Sequence, residues 1–329
     1  MKIQIKSIIR AACHSFSGAA CAGAALLLLA TTSNSQAQYN YTTLNVPGAS
    51  QTSAYGISGN EIVGYYFNIN NPPDDYGFVY DGSSYSTLSV PGAVVTYPYG
   101  ISGTNIVGQY GYNGGIYEGF LYNSSTYTIL SVPGAQVTSA DGISGNDIVG
   151  YYVNSSGGTQ GFLFNINSQT YTTLPFGASG ISGDNIVGGN QEYNIENQTY
   201  TTLSVPGAES TSASGISGND IVGYYVNSSG NYEGFLYNGS SYTTLDVPGA
   251  LNTYAYGISG NDIVGFYYNS GNAPSGNPQG FLATPVPEPS VLGLLAVGAT
   301  GLLVCRRSKL ASNAWSLKII SEWSVNRSL

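Results

Sequence analysis

Between Gln38 and Pro287 the chain has no Lys, Arg, His, Cys, Met or Trp. Each absence excludes a chemistry. Without His or Cys there is no Ser-His-Asp or Cys-His nucleophile, and without Lys there is neither a Schiff base nor a lysine general base. Without Arg, a sialidase-like clamp on a substrate carboxylate cannot be built. The three cysteines, Cys13, Cys21 and Cys305, lie in apolar end segments, so the body holds no disulfide framework and no thiolate metal site. Cys21 precedes the apolar run Ala24 to Ala30, whereas a lipidated cysteine should follow one. Carboxylates and tyrosines remain, and they leave a glycosidase with paired acids as the one enzyme class the composition allows.

Charge is scarce and sharply partitioned. Only 8% of residues are charged, and the net charge of -9 hides the fact that Lys2, Lys6 and Arg10 stand at one end and Arg306, Arg307, Lys309, Lys318 and Arg327 at the other. Of the 17 Asp and Glu residues, all but Glu288 and Glu322 fall in the uncompensated body. Nucleic acid, anionic lipid and phosphorylated substrates are held mainly by Lys and Arg, so these partners are excluded.

The body is built on a repeat. GISG, two polar residues and IVG begin at Gly56, Gly100, Gly142, Gly180, Gly215 and Gly257, with spacings by subtraction of 44, 42, 38, 35 and 42 residues. That is the period of a propeller blade. Each unit reads as four short strands. GIS and IVG form a tight hairpin, with a pair such as Gly260-Asn261 supplying positive-φ turn residues. A Gly-Phe strand follows (Gly77-Phe78, Gly119-Phe120, Gly161-Phe162, Gly234-Phe235, Gly280-Phe281), then a strand such as Tyr242 to Val247, ended by a proline that cannot donate to a ladder.

The fourth-strand pattern also occurs at Tyr41 to Val46, before any GISG, while the last unit stops at Phe281-Leu282 without one. The expectation is an all-β fold, a six-bladed β-propeller of four-stranded repeats of about 42 residues, with the N-terminal strand closing the last blade and leaving no free edge there. An open β-solenoid has the same period and is the alternative. The unit beginning at Gly180 is shortened on both sides, and aligning Gln191-Glu192-Tyr193 with Phe162-Leu163-Phe164 gives it a polar third strand.

Residues 38–283 resemble the HAF repeats of extracellular bacterial proteins, through GIS-G-N-x-IVG followed by a Gly-Phe strand. The naming His-Ala-Phe tripeptide is replaced here by Tyr76-Gly77-Phe78, Glu118-Gly119-Phe120 and Gln160-Gly161-Phe162. No defined activity comes with that resemblance, which implies fold and an extracellular location only.

Both ends read as addresses. Residues 1–37 carry basic residues, the apolar stretch Ala19 to Ala30 and the small-x-small Ser35-Gln36-Ala37, the order of a secretory signal peptide cleaved after Ala37. At residues 286–309, Val286-Pro287-Glu288-Pro289-Ser290 precedes an apolar run and Arg306-Arg307-Ser308-Lys309. The two prolines hold the backbone extended around Glu288. The run reaches about 24 Å as a helix, nearly a bilayer core, and snorkelling basic residues make up the difference.

This segment resembles a PEP-CTERM sorting tail. The resemblance implies transit through the inner membrane of a Gram-negative bacterium, processing by an exosortase-type protease, and delivery to the cell surface or exopolysaccharide matrix. Residues 310–329 depart from the pattern, since such tails usually stop after the basic cluster; Trp315, Ile319 and Trp323 recur at a spacing that fits an amphipathic helix, and a discarded tail or an accidental extension of the reading frame fits equally.

Candidate site residues are few. Glu61, Asp147, Asp220 and Asp262 occupy equivalent hairpin turns, which favour Asn and Asp for backbone reasons. Asp141 differs, because its repeat equivalents are Tyr55, Tyr99, Ser179, Ser214 and Tyr256, so no repeat rule requires an acid there. It is the candidate for a catalytic acid. Asp74 and Asp75 would serve a calcium ion if one binds, with a solvated loop as the simpler reading, and no Asp-x-Asp-x-Asp-Gly loop is present. No other cofactor is implied. The pairs Tyr65-Tyr66, Tyr151-Tyr152, Tyr224-Tyr225 and Tyr267-Tyr268 end the second strands; adjacent residues face opposite sides, so one ring of each pair packs between blades. Tyr66, Tyr152, Tyr225 and Tyr268 are the candidates for stacking on a sugar, with packing as the competing reading. The sequence thus points to a non-enzymatic, carbohydrate-directed binding or structural module, with a matrix glycosidase using Asp141 as the alternative.

Overall fold

The computed structural model describes residues 39–68, 75–112, 115–269 and 277–286, and every regular element among them is a β-strand. The secretory segment, Asp74, the sorting segment beyond Val286, and residues 310–329 lie outside the described residues.

Strands group in fours. Blade 5 shows the pattern: Ser210–Ser217, Asp220–Val226, Tyr232–Tyr237 and Tyr242–Leu245 pair antiparallel in sequence order. Blades 1 to 4 occupy 51–88, 95–130, 135–174 and 180–202, and blade 6 begins with Ala250–Ser259, Asp262–Asn269 and Gln279–Pro285. The sixth blade takes its fourth strand from the other end of the body: Tyr39–Leu44 pairs antiparallel with Gln279–Pro285, from Tyr39 opposite Pro285 to Leu44 opposite Gly280. The predicted closing strand is therefore where the repeat count put it.

Local rules explain each joint. In the GISG hairpin only the glycine takes positive φ (57° at Gly260), so the turn has the II′ pattern that matches strand twist, and the expectation of positive φ at Asn261 is corrected. Between blades, Val46-Pro47-Gly48-Ala49 forms a turn with Gly48 at φ 80° and Ala49 N–H donating to Val46 C=O at 3.0 Å. Proline then glycine at its two central positions is the chemistry of a type II turn. The buried Thr52 hydroxyl accepts the Val46 N–H at 3.1 Å, and Thr96, Thr138, Thr211 and Thr253 repeat the bond for Val90, Val132, Val205 and Val247.

The core lies between blades. Val63 of blade 1, for instance, packs with Leu88, Val90, Ile101, Ile106 and Phe120, a set drawn from two blades and the link joining them. The third-strand rings Phe78, Phe120, Phe162, Phe235 and Phe281 are all 0% exposed. They fit because the facing second-strand residue is glycine: a Cβ on Gly64 would stand 2.9 Å from the Phe78 ring, and one on Gly108 2.8 Å from Phe120. Blade 4 lacks this phenylalanine, since Gln191 stands opposite Gly188. Phe176, from the shortened link, fills the space, its ring 3.1 Å from where a Gly188 Cβ would be. Blades 1, 2 and 3 are further joined by single parallel bridges, Asp75 with Val95 and Tyr117 with Val137, which the repeat gave no means to foresee.

The six GISG glycines close the ring. A Cβ on Gly56 would meet Tyr99 O at 2.7 Å, on Gly100 it would meet Gly142 Cα at 3.2 Å, on Gly142 Gly180 Cα at 3.0 Å, on Gly180 Gly215 Cα at 3.2 Å, on Gly215 the Tyr256 carbonyl, and on Gly257 Gly56 Cα at 3.2 Å. Next to them runs a circle of hydrogen bonds in which each blade's GIS serine accepts from the following blade's turn glycine. Gly103 donates to Ser58, Gly145 to Ser102, Gly183 to Ser144, Gly218 to Ser182, Gly260 to Ser217, and Gly59 to Ser259, at 3.0 to 3.4 Å. The last bond joins blade 6 to blade 1. A solenoid has no such contact, so the molecule is a closed six-bladed propeller.

Gly257→Ala is expected to lower stability by about 1–3 kcal/mol, because its methyl group would overlap the Tyr55 carbonyl of the next blade. Denaturant unfolding of the variant beside the parent protein checks this.

Candidate functional site

The first strand of each blade runs along the central axis, and in five blades it is bulged at the residue before the GISG glycine, blades 3 and 6 having a second irregularity near the strand start. Register breaks fall between Ala54 and Gly56, Pro98 and Gly100, Ala140 and Gly142, Ala213 and Gly215, and Ala255 and Gly257. The skipped residues are Tyr55, Tyr99, Asp141, Ser214 and Tyr256. A bulge re-aims a side chain out of the alternating pattern, and here all five line one axial pocket. Ser179, the blade 4 equivalent, joins them, as do Ser139 and Tyr151. The pocket holds about 230 Å³, room for one small ligand.

Its wall is asymmetric. Blades 6, 1 and 2 contribute Tyr256, Tyr55 and Tyr99; Tyr55 lies with its ring centroid 4.5 Å from Tyr256 and 5.2 Å from Tyr99. Blades 4 and 5 contribute the small hydroxyls Ser179 and Ser214. Asp141 of blade 3 stands between the two arcs and is the one carboxylate among the described residues lining the pocket. Its neighbour Ser139, fully buried, donates to Oδ1 at 2.5 Å.

Burial raises the Asp141 pKa to about 7, and the Ser139 hydrogen bond offsets only part of that. Asp141 keeps part of its surface on the pocket, yet protein surrounds it too closely for bulk hydration, and no cation is present in the body to compensate. Tyr55 and Tyr99 are pushed well above the usual phenol range, mainly by burial, with Asp141 adding to the rise at Tyr99. The pocket at neutral pH is thus a ring of neutral phenols and hydroxyls around one acid close to half ionisation.

A belt of rings extends from the pocket over blades 1, 2, 5 and 6. Tyr65 stacks on Tyr55 at 5.4 Å and meets Tyr97 at 4.8 Å, while on the other side Tyr256 leads to Phe266 at 5.3 Å, Phe266 to Tyr254 at 5.1 Å, and Tyr254 to both Tyr224 and Tyr232 at 5.1 and 5.0 Å. The belt joins Tyr65 and Tyr224, first members of their tyrosine pairs, with the first-strand rings Tyr97 and Tyr254, with Phe266 of a second strand and with Tyr232 of a third. Sequence reasoning missed the belt, because its members meet across blades.

The expected stacking residues are placed differently. Tyr66 donates to or accepts from Thr87 Oγ1 at 3.1 Å and stacks on Tyr76, and Tyr152 donates to Gln160 Oε1 at 2.5 Å. Tyr225 is only 8% exposed and its hydroxyl is held by Glu233 and Thr244, so it offers little ring face to a sugar. Tyr268 belongs to another set. Gly265 aligns with Gly64, so the equivalent of Tyr66 is Tyr267, whose hydroxyl donates to Gln279, while Tyr268 sits on the belt beside Phe266 and Tyr254. The pairing slipped by one because Phe266 replaces the first tyrosine.

The remaining acids are apart from the pocket. Glu61, Asp147, Asp220 and Asp262 open the second strands at the hairpin turns, and Asp147 accepts from Asn165 Nδ2 at 2.6 Å. Asp75 accepts from the Tyr97 hydroxyl at 2.6 Å. Among the described residues no three His, Cys, Asp or Glu come together as a metal site, and no helix is long and apolar enough to cross a membrane.

The fold and site define a six-bladed β-propeller with a tyrosine-lined axial pocket. No family model and no curated protein matches the chain. Among solved structures, TolB from Acinetobacter baumannii is similar at 16% identity over 72% of this chain, with a TM-score of 0.46; the match spans 64% of TolB. The β-propeller domain of the trilobed protease from Pyrococcus furiosus is similar at 13% identity over 73% of this chain and 86% of that one, with a TM-score of 0.42. The Aleuria aurantia lectin is similar at 17% identity over 77% and 81% of the two chains, with a TM-score of 0.32.

The native state holds a proton on Asp141 that the unfolded chain releases between about pH 4 and about pH 7. Stability from this group is therefore full at low pH and lost as pH rises through about 7. Asp141→Asn is expected to remove that slope and to stabilise the protein at pH 8 by about 2 kcal/mol, less than the full linkage value because Asp141 is partly exposed. Chemical denaturation at pH 5 and pH 8 measures both.

Proposed function

We propose that the protein is an exported, non-enzymatic propeller module of the cell surface or exopolysaccharide matrix, and that it is directed to carbohydrate through its axial pocket. One observation carries the reading: the pocket combines partly exposed tyrosine rings with serine hydroxyls, in a body whose sequence supplies no Lys, Arg, His or Cys. Sugars are held by such sets, with apolar ring faces on aromatic side chains and hydroxyls on fixed polar groups. In this reading residues 1–37 direct export. Residues 286–309, with Val286-Pro287-Glu288-Pro289-Ser290 and Arg306-Arg307, anchor the chain in the inner membrane until an exosortase-type protease processes it.

A second reading, a carboxylate-dependent glycosidase, is favoured by the Asp141 pKa of about 7, which suits a general acid. It needs a second acid, and the lining supplies none besides Asp141.

Saturable binding of the purified protein to the producing bacterium's exopolysaccharide, with and without calcium and with no release of reducing sugar, is the expected result. Release of sugar that Asp141→Asn abolishes would replace this reading with the glycosidase, and absence of both would leave a structural coat protein. For the sorting segment, Glu288→Ala is expected to retain the full-length chain in the cell fraction, at least tenfold over the parent by immunoblot.

A further inference from the structure

The axial pocket departs from its own repeat in one respect. Five of six equivalent positions carry an uncharged Tyr or Ser, and blade 3 alone carries an acid. Removing a carboxylate from water without a countercharge is costly, and neither a neutral sugar nor the six-fold packing requires it. The body provides no cation to pair with it, and its acids, all of one sign, make the molecule's field attract cations. The missing countercharge is one the ligand can bring.

The lining says what shape that cation has. Tyr99 and Tyr151 are close enough to Asp141 for its charge to act on their hydroxyls, and Tyr55 and Tyr256 complete the aromatic arc. Aromatic rings beside a carboxylate attract an ammonium group through the ring quadrupole as well as by charge. On the other side Ser179 and Ser214 present hydroxyl groups, the partners of a polyol rather than of an alkylamine.

Building on the carbohydrate reading above, we propose that the axial pocket binds an amino sugar with a free ammonium group. The ammonium sits against Asp141, the pyranose ring lies on the Tyr55–Tyr99–Tyr256 arc, and the sugar hydroxyls reach Ser179 and Ser214. The volume of about 230 Å³ suits a single sugar unit, a terminal or de-N-acetylated residue of a matrix polymer. Binding draws Asp141 fully into its ionised form, so a ligand taken up near pH 7 expels part of a proton. The titratable groups facing Asp141 within the pocket are the phenols of Tyr55, Tyr99, Tyr151 and Tyr256, which stay neutral there, so that proton comes from Asp141.

Calorimetric titration of the full chain with glucosamine, N-acetylglucosamine, glucose and choline tests this, run at pH 7 in two buffers of different ionisation enthalpy. Glucosamine is expected to bind at least tenfold more tightly than N-acetylglucosamine or glucose and to release protons. Asp141→Asn, which keeps the side-chain shape, is expected to erase both the preference and the proton release while the melting temperature is held or raised. Tyr256→Leu is expected to weaken glucosamine at least threefold with Asp141 intact. Equal binding of the three sugars, a preference that survives Asp141→Asn, or choline binding without glucosamine binding would overturn the proposal. Exopolysaccharide binding with no glucosamine preference would overturn this inference and leave the carbohydrate reading standing; glucosamine binding with no exopolysaccharide binding would support the amino-sugar pocket and overturn the matrix polymer as its source.

Discussion

Everything in this propeller depends on how closely six backbones approach the axis. At the six GISG glycines the strand of one blade stands where a Cβ would have to overlap the carbonyl or Cα of the next. Replacing hydrogen by methyl at such a point forces strain on a packed interior. The serine two residues on from each of these glycines then accepts a backbone N–H from the neighbouring blade, so the contact is both tight and hydrogen bonded. That circle closes only if the sixth blade is complete, and the strand Tyr39–Leu44 completes it. With the ring closed, the residue before each glycine has a single destination, the axial pocket.

The pocket is therefore a by-product of closure that has been made asymmetric by substitution. Tyr55, Tyr99 and Tyr256 reach furthest inward, Ser179 and Ser214 leave room, and Asp141 lies between. Blade 4 shows how far the frame tolerates change: it has a shortened link and a polar third strand, yet Phe176 restores the lost packing from another direction.

Much of the fold is legible in the sequence because each motif answers to one local constraint. GISG encodes a close approach and a turn, Val-Pro-Gly-Ala a type II turn, and Gly-Phe the ring that fills the space of a second-strand glycine. Counting these motifs yields six blades and the closing strand, and aligning them yields the six residues now found around the pocket. The bulge itself is not legible, since the same Tyr-Gly or Ser-Gly step would satisfy a regular strand. Nor is the aromatic belt, which joins rings such as Tyr55 and Tyr256 that lie 201 positions apart by subtraction and on different blades. Assigning Tyr268 as a repeat of Tyr66 failed for a simple reason: a Tyr-Tyr pair is a pattern of composition, whereas Gly64 and Gly265 mark the true register. The expectations for the two ends rest on motifs outside the described residues.

The physical claim that joins fold to function is that ring closure holds one carboxylate among neutral phenols, short of water and without a protein cation. A carbon-13 NMR titration of the aspartate side-chain carboxyls, with Asp141 assigned through Asp141→Asn, measures this directly. A midpoint near pH 7, well above the ordinary aspartate value, is the predicted result. A midpoint near 4, the ordinary aspartate value, would mean that Asp141 is hydrated like a surface residue and that the axial pocket is not its environment.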